Sequence, residues 1–561
     1  MVRLTAFCWT VQRLAGWSGG AAHRAVVAAP RWPARRIFVT AAPSVGPPAS
    51  GSGAGVSEPL SGPEARDTIF AVSSGAGVRA GVAVIRISGA GARIALQTMI
   101  ARGRLDPSLA WLAPRMATLA KLLAPGSDER LDSALVLWFP APRSFTGEDV
   151  AELHVHGGRA VVAAVLAALG ALPGHRLAER GEFTRRAFGN GRMDLTEVEG
   201  LSDLLAANTD AQRRQALAQM GGAARARFDG WRAQILDCLA HTEAVIDFGE
   251  DADDLGSDVL RVVSPRVAEL AAQMTRALAD ARRGELLRDG PRVVIVGAPN
   301  AGKSSLLNRL AQRPAAIVTP IAGTTRDVLE LELQLGGFPL RLCDTAGLRP
   351  RDEADEIEVE GMRRARALLA DAPMRLVVAD VSAGVPPSRE ELAALLRGEE
   401  GADAAGEASG AALGDGDEGA NAAALDLDDS SLLVVLNKVD ALPANRAPLS
   451  VHGIAPSCQF CISCETGEGM DALLDALEAR VRALLEGEGG GETAIVTRAR
   501  HREHLEQAVG ALERFARLDG LMVDLAAEEL RIAASEVGKV TGTIRVEEML
   551  DIIFRDFCIG K

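Results

Sequence analysis

Val293-Val294-Ile295-Val296-Gly297-Ala298-Pro299-Asn300-Ala301-Gly302-Lys303-Ser304 decides how this chain is read. The four apolar residues form a fully buried strand, the Gly-rich segment fits GxxxxGK[ST], and Leu306-Leu307-Asn308-Arg309-Leu310 continues as a helix. In that strand–loop–helix setting the backbone N–H groups of Asn300 to Ser305 and the helix N-terminus would cradle phosphates. Lys303 would reach the β- and γ-phosphates as the catalytic cation, and the Ser304 hydroxyl would coordinate Mg²⁺.

Further nucleotide elements follow in order. Thr319-Pro320-Ile321-Ala322-Gly323-Thr324-Thr325 ends in a switch I element, with Thr325 placed to complete the Mg²⁺ shell and sense the γ-phosphate. Asp344-Thr345-Ala346-Gly347 follows the strand Leu340-Arg341-Leu342-Cys343, where a Walker B aspartate belongs. Asn437-Lys438-Val439-Asp440 ends the strand Leu432 to Leu436. Its carboxylate can accept two hydrogen bonds from a guanine edge, a charge-assisted pairing that excludes adenine and makes GTP the nucleotide. Ser463-Cys464-Glu465 stands where the last base-contacting loop is expected. No Gln follows Gly347 to orient the attacking water, so another group must, and acids crowd residues 352 to 360.

Working outward, the period of the apolar residues changes twice. From Asp67, strands such as Val82 to Ile87 and Ala134 to Phe139 alternate with Ala/Leu-rich helices. Beyond Asp194 the spacing becomes helical, as in Phe228, Trp231, Ile235, Leu239 and Ile246, and it returns after the G domain with Leu505, Val509, Leu512 and Phe515. The expected class is multidomain α/β plus α. An N-terminal α/β domain spans 67–185, a helical domain spans 186–288 and 493–561, and a Ras-like P-loop G domain over 289–485 is inserted into the helical one.

The 561 residues carry a net charge of −14, which at first opposes a nucleic-acid partner. Ten of the acids lie in residues 398–430, with no base among them, so the remainder stands at −4. That Gly/Ala-rich acidic stretch reads as a low-complexity surface insert without a catalytic role. No 18-residue apolar run suggests a membrane span. Seven cysteines spread over the chain form no disulfide framework. Cys458, Cys461 and Cys464 make a CxxCxxC run without a fourth ligand at a recognised spacing, and they also fit a strand entering a G-domain loop. Residues 1–60 hold six Arg, no Lys and one acid, a composition like a mitochondrial transit peptide. The rival reading is an over-long gene model of a bacterial protein starting near Asp67. The bacterial cytoplasm is the expected address, with the mitochondrial matrix as the alternative.

The order of motifs resembles the MnmE (TrmE) family of tRNA modification GTPases over about residues 67 to 561. Outside the G domain the resemblance rests on Ser144-Phe145-Thr146-Gly147-Glu148-Asp149, His156-Gly157-Gly158, Gly181-Glu182-Phe183-Thr184-Arg185-Arg186-Ala187-Phe188 and the closing Phe557-Cys558-Ile559-Gly560-Lys561. It implies a homodimer whose G domains associate in a K⁺-dependent way, with Asn300, Thr319, Ile321 and Thr324 holding the K⁺ in place of an arginine finger. Pro320 departs from the usual Asp, which backbone-carbonyl ligation would tolerate. Alignment with the family's switch II puts the catalytic acid, acting through water, at Glu358, with Glu356 competing because of a two-residue length difference.

The resemblance also makes the N-terminal domain tetrahydrofolate-binding, taking a 5-formyl- or methylene-tetrahydrofolate. Arg86, Glu152, Arg192 and Lys561 fall on the matching positions, and Arg192 replaces a common Lys with different hydrogen-bond geometry. Without the family, Arg86 is a structural charge on a strand and Glu152 a surface acid. Cys558, beside the C-terminus, is either a chemical participant or a buried small apolar residue. The implied function is modification of the wobble uridine of certain tRNAs at C5 with an aminomethyl-type group. An FAD-containing MnmG (GidA)-like protein would be the partner, in a heterotetramer. A regulatory or ribosome-assembly GTPase, a folate-dependent one-carbon transferase with an accessory G domain, and a degenerate scaffold are the alternatives.

Overall fold

The computed structural model describes residues 67–74, 80–248, 255–312, 316–317, 329–344, 368–369, 372–397, 431–443, 448–486, 494–518, 522–544, 550, 553–555 and 557–561. Six strands open the described chain: β1 Thr68–Val72, β2 Val82–Ser88, β3 Thr118–Leu123, β4 Arg130–Phe139, β5 Val150–His156 and β6 His175–Leu177. They order as β3-β4-β5-β2-β1-β6, antiparallel except where β6 joins β1. Period-2 alternation sends Ala83, Ile85 and Ile87 of β2 and Ala151, Leu153 and Val155 of β5 into one core, covered by the helices Ala92–Met99 and Arg159–Gly170. Arg86, Glu152 and His154 therefore point from the opposite face.

At Asp194 the chain switches to helix, and the reason is local. The Asp194 side chain accepts from the Glu197 N–H while Glu197 accepts from the Asp194 N–H, a capping box that starts Leu195–Ala206. Thr209 and Gln212 repeat the device for Asp210–Met220. The long helices Ala223–Phe248 and Leu255–Ala279 then share one core with Ala499–Phe515 and Val523–Thr541, which lie beyond the inserted domain. Phe228, Trp231, Ile235 and Leu239 meet Leu505, Val509, Leu512 and Phe515 there. Ile246, expected on the same stripe, is 37% exposed and lies outside that core.

A polar knot ties the two helical pieces across 301 residues of sequence. Glu199 accepts from Arg500 Nε and Nη2 at 2.6 and 2.7 Å and pairs with His501 Nε2 at 2.8 Å. Burial works to raise the Glu199 carboxyl, but Arg500 and His501 overcome it and hold it below the ordinary carboxylate range. Burial pushes His501 down to about 4, so its ring is neutral at pH 7 and Nε2 carries the proton given to Glu199. Its Nδ1 is buried with no hydrogen-bond partner, as a bare nitrogen facing no donor would be.

The inserted domain contains β7 Arg292–Val296, β8 Ala316–Ile317, β9 Leu329–Leu335, β10 Phe338–Asp344, β11 Met374–Asp380, β12 Leu432–Asn437 and β13 Gln459–Ile462. Their order is β13-β12-β11-β7-β10-β9-β8, with β13, β12, β11, β7 and β10 parallel and β9 antiparallel to both β10 and β8. Helices cover both faces: Lys303–Ala311 and Met470–Glu486 on one, Arg389–Leu396 on the other. Burial from both sides explains why β7, β11 and β12 are nearly continuous Val, Leu and Ile. The order reverses at β7, whose neighbours are β11 and β10, so the carboxyl ends of these strands form the crevice where such sheets bind ligands.

Candidate nucleotide and N-terminal sites

The loop after β7 is positioned by close packing. A Cβ at Gly297 would come within 2.2 Å of the Val378 carbonyl oxygen on β11, so only glycine lets the strand turn there. Asn300 sits at φ +64 in an exposed loop apex, and Ala301 is fully buried below it. Lys303 opens the helix with its side chain 6% exposed, folded back so that Nζ donates to the Gly297 carbonyl and, at 3.0 Å, to that of Ala298. A lysine held over its own loop by two carbonyls is placed to exchange them for phosphate oxygens. Ser304 and Ser305 are exposed at the helix start.

Asn437 joins the nucleotide loops. It is 1% exposed, its Nδ2 donates to Ala301 O at 2.9 Å, and its Oδ1 accepts from Cys464 N at 3.3 Å. The loop after β7 and the turn Ser463-Cys464-Glu465 are thus held by one amide. Val439 is buried and Asp440 is exposed on the 3₁₀ turn Val439–Ala441, which leaves its carboxylate accessible to a base. Ser463 is fully buried, and its hydroxyl accepts from Glu465 N and Thr466 N at 3.2 and 3.0 Å, giving Ser463-Cys464-Glu465 a defined turn. Burial pushes the Cys464 thiol up.

Asp380 was not singled out in the sequence. It ends β11 in register with Asn437, and its Oδ2 accepts from Lys438 Nζ at 2.6 Å. Slight burial raises its carboxyl, and Lys438 with Ser382 overcomes this and holds it below the ordinary range. The signal was available: an acid closing the strand beside the one that ends in Asn437-Lys438. Asp344 closes β10 in register with Ile295 of β7. Thr319, Pro320, Ile321, Ala322, Gly323, Thr324, Thr325, Thr345, Ala346, Gly347, Glu356 and Glu358 lie outside the described residues.

The CxxCxxC run divides between the two faces of the sheet. Cys458 and Cys461 pack against the cluster containing Leu392, and Cys464 against the one containing Leu473. Among the described residues no three Cys, His, Asp or Glu side chains converge on a metal position.

In the N-terminal domain, Arg86 and Glu152 are cross-strand neighbours on β2 and β5, and Arg86 Nε and Nη2 donate to Glu152 Oε1 at 3.1 and 3.0 Å. The guanidinium stacks over Phe145 and Phe183, with its carbon 5.0 and 5.8 Å from the ring centroids. One carboxylate oxygen is thereby committed, and the other faces His154 Nε2 at 3.5 Å. Arg192 is exposed beside the Ser144–Asp149 loop: a Cβ at Gly147 would lie 3.2 Å from its Cγ.

The C-terminal residues pack first on the helical domain and then reach the N-terminal one. Phe554 and Phe557 pack with Val198, Ile559 bridges antiparallel to Arg180, and Ser73 Oγ donates to Gly560 O at 3.0 Å. Gly560 has φ +95, and a Cβ there would meet Val72 O at 2.2 Å. Val72 closes β1, the strand paired with the Arg86-bearing β2, so the tail ends at the edge of β1, with Glu152 one strand further on β5. Cys558 is exposed, which overturns its alternative as a buried packing residue.

With this geometry in place, comparison with known proteins is direct. "GTP-binding protein TrmE N-terminus" matches residues 68–192 and "MnmE helical domain" matches residues 195–558. The chain is 48% identical over 507 residues to "tRNA modification GTPase MnmE" of Rhodospirillum rubrum, covering 88% of this chain and 99% of that one. It is 46% identical over 518 residues to "5-taurinomethyluridine-[tRNA] synthase subunit GTPB3, mitochondrial" of Homo sapiens, covering 92% and 95%. The Danio rerio protein of that name is 46% identical over 500 residues, covering 88% and 93%. The chain is a P-loop GTPase and belongs to the MnmE family of tRNA modification GTPases.

Proposed function

We propose that the chain hydrolyses GTP to drive the C5 modification of the wobble uridine in certain tRNAs, placing an aminomethyl-type group with a folate one-carbon unit. It acts with an FAD-containing MnmG-like partner. The observation that carries this reading is the seating of the C-terminal tail. It holds Gly560, one residue before Lys561, against Ser73 and Val72 at the end of β1, the strand paired with the one bearing Arg86, and this supports a shared site with Arg86 and Glu152.

Here Glu152 Oε2 and Lys561 orient a tetrahydrofolate derivative, Arg86 holds the Glu152 carboxylate in place through its other oxygen, and Arg192 binds an anionic part of the ligand. The domains 67–185, 186–288, 289–485 and 493–561 divide the labour, and Cys558, exposed beside the tail, is a candidate participant. At the other site Lys303 and the loop N–H groups hold the phosphates, Asp440 selects guanine, and Asn437 keeps both loops in register. Mg²⁺, held by Ser304 and Thr325, would supply charge neutralisation on the β- and γ-phosphates. Glu358, with Glu356 as the alternative, orients the attacking water. K⁺ at Asn300, Thr319, Ile321 and Thr324 is the element of G-domain pairing in the homodimer, and Asn300→Ala is expected to abolish K⁺ stimulation of GTP hydrolysis. The proposed address is the bacterial cytoplasm, with the mitochondrial matrix as the alternative, and sequencing the native N-terminus decides between them. Among the described residues, no helix is long and apolar enough to cross a membrane.

The test is mass spectrometry of tRNA nucleosides from a strain lacking the gene. Loss of the C5-modified wobble uridines supports the proposal, and an unchanged nucleoside profile refutes it.

A further inference from the structure

At the end of the inserted sheet away from the phosphate loop, a cleft of about 520 Å³ opens between the helix Ala281–Asp289, the start of the helix Ala499–Phe515 and the first residues of β7. Four arginines line it, Arg282, Arg292, Arg341 and Arg502, against two acids, Glu285 and Asp289. The acids are already engaged. Glu285 accepts from Arg502 Nε at 3.2 Å, and Asp289 takes Arg288 on both oxygens at 2.9 and 2.8 Å. Arg341 reaches Glu332 only at 3.4 Å, and its Nε is buried without a hydrogen bond. Arg282 and Arg292 are exposed and make no hydrogen bond or ion pair with any described residue.

In a chain of net charge −14, a cleft holding two uncommitted guanidinium groups is a local inversion of the field. Guanidinium forks match phosphate oxygens in pairs. Because both free arginines face solvent across a joint between two domains, an extended backbone fits better than an enclosed small anion. We propose that this cleft is a phosphodiester-binding site in which Arg282 and Arg292, with Arg341 behind them, contact the sugar-phosphate backbone of the tRNA substrate. It rests on the tRNA reading above. The site reads no base: it positions the RNA, as phosphate contacts do. It lies about 16 Å along β7 from Gly297, so it is separate from the GTP phosphates.

The experiment uses the full-length protein and an unmodified tRNA transcript, with affinity measured across a salt series for wild type and for the double variant Arg282→Ala/Arg292→Ala. Losing two phosphate contacts should make the slope of log affinity against log salt shallower by roughly 1.4 to 1.8, with weaker binding at low salt. Basal GTP hydrolysis should be unchanged. Arg282→Lys/Arg292→Lys should recover most of the slope, because the charge is kept.

An Ala variant with the wild-type slope and affinity overturns the proposal, and so does a Lys variant as impaired as the Ala one. Inorganic pyrophosphate binding that depends on Arg282 and Arg292, beside an unchanged tRNA slope, assigns the cleft to a free anion and also overturns it. If wild type itself binds no tRNA, it is the functional reading that fails, and this site with it.

Discussion

Glu199→Gln removes one charge from the knot that closes the helical domain around the inserted domain. The side chain is 1% exposed, and its two oxygens receive three hydrogen bonds, from Arg500 twice and His501 once. Removing one partner of a buried pair costs about 3–5 kcal/mol, because the remaining ion is left uncompensated. Arg500 keeps the Val540 and Lys539 carbonyls at 3.1 and 3.4 Å, which argues for the low end, about 3 kcal/mol. For a domain of this size that is a fall of roughly 6–12 °C in the melting temperature of the helical transition. Differential scanning calorimetry of the full chain reads it.

The pH dependence carries a sign. The folded Glu199 carboxyl lies below its ordinary value of 4.5, so its contribution is present above about 4.5 and is lost as pH falls through the depressed folded value. The gap between wild type and variant should therefore be open at pH 7 and close only in acid. His501, down from 6.5 to about 4, likewise costs stability as pH falls through that window. Asp203, raised by burial from 3.8 to about 6, works the other way, its contribution being lost as pH rises from 3.8 to about 6. A melting shift under about 2 °C at pH 7, or a gap that widens in acid, would refute the assignment of this knot as the clasp of the helical domain.

Two more perturbations separate the sites. Asn437→Ala should weaken GTP and GDP alike by about 10- to 100-fold in equilibrium binding, since it removes two hydrogen bonds and leaves Ala301 O and Cys464 N without this partner; an effect on GTP alone would contradict a shared loop clamp. Gly560→Ala forces a Cβ onto Val72 O at a positive φ, so tetrahydrofolate binding by calorimetry should fall while GTP hydrolysis persists. Unchanged folate affinity would detach the tail from that site.

What could be read in advance divides by range. β7, the GxxxxGK[ST] loop and Asn437-Lys438-Val439-Asp440 were legible because each is a local pattern whose chemistry is carried by consecutive residues. The helical stripe was legible to within one residue: Ile246 keeps the spacing but sits beyond the reach of the packing partners that bury Leu239. Pairings across the insertion left no local trace. Nothing near Glu199 predicts that its partners stand at 500 and 501, because a helical Glu between Val198 and Gly200, with Glu197 and Asp203 a few residues away, carries no local sign of an arginine partner. Asp380 left a partial trace, an acid closing an apolar strand, and its pairing with Lys438 appears only when β11 lies against β12. The Arg86–Glu152 pair needed the β2–β5 register, which period-2 alternation alone does not fix.

The central claim couples nucleotide hydrolysis to the uridine modification, and one complementation decides it. A strain lacking the gene is supplied with the wild-type chain or with Lys303→Ala, and its tRNA nucleosides are quantified. Wild type is expected to restore the C5-modified wobble uridine and Lys303→Ala to leave it unmodified. Full restoration by Lys303→Ala, or none by wild type, would contradict that coupling.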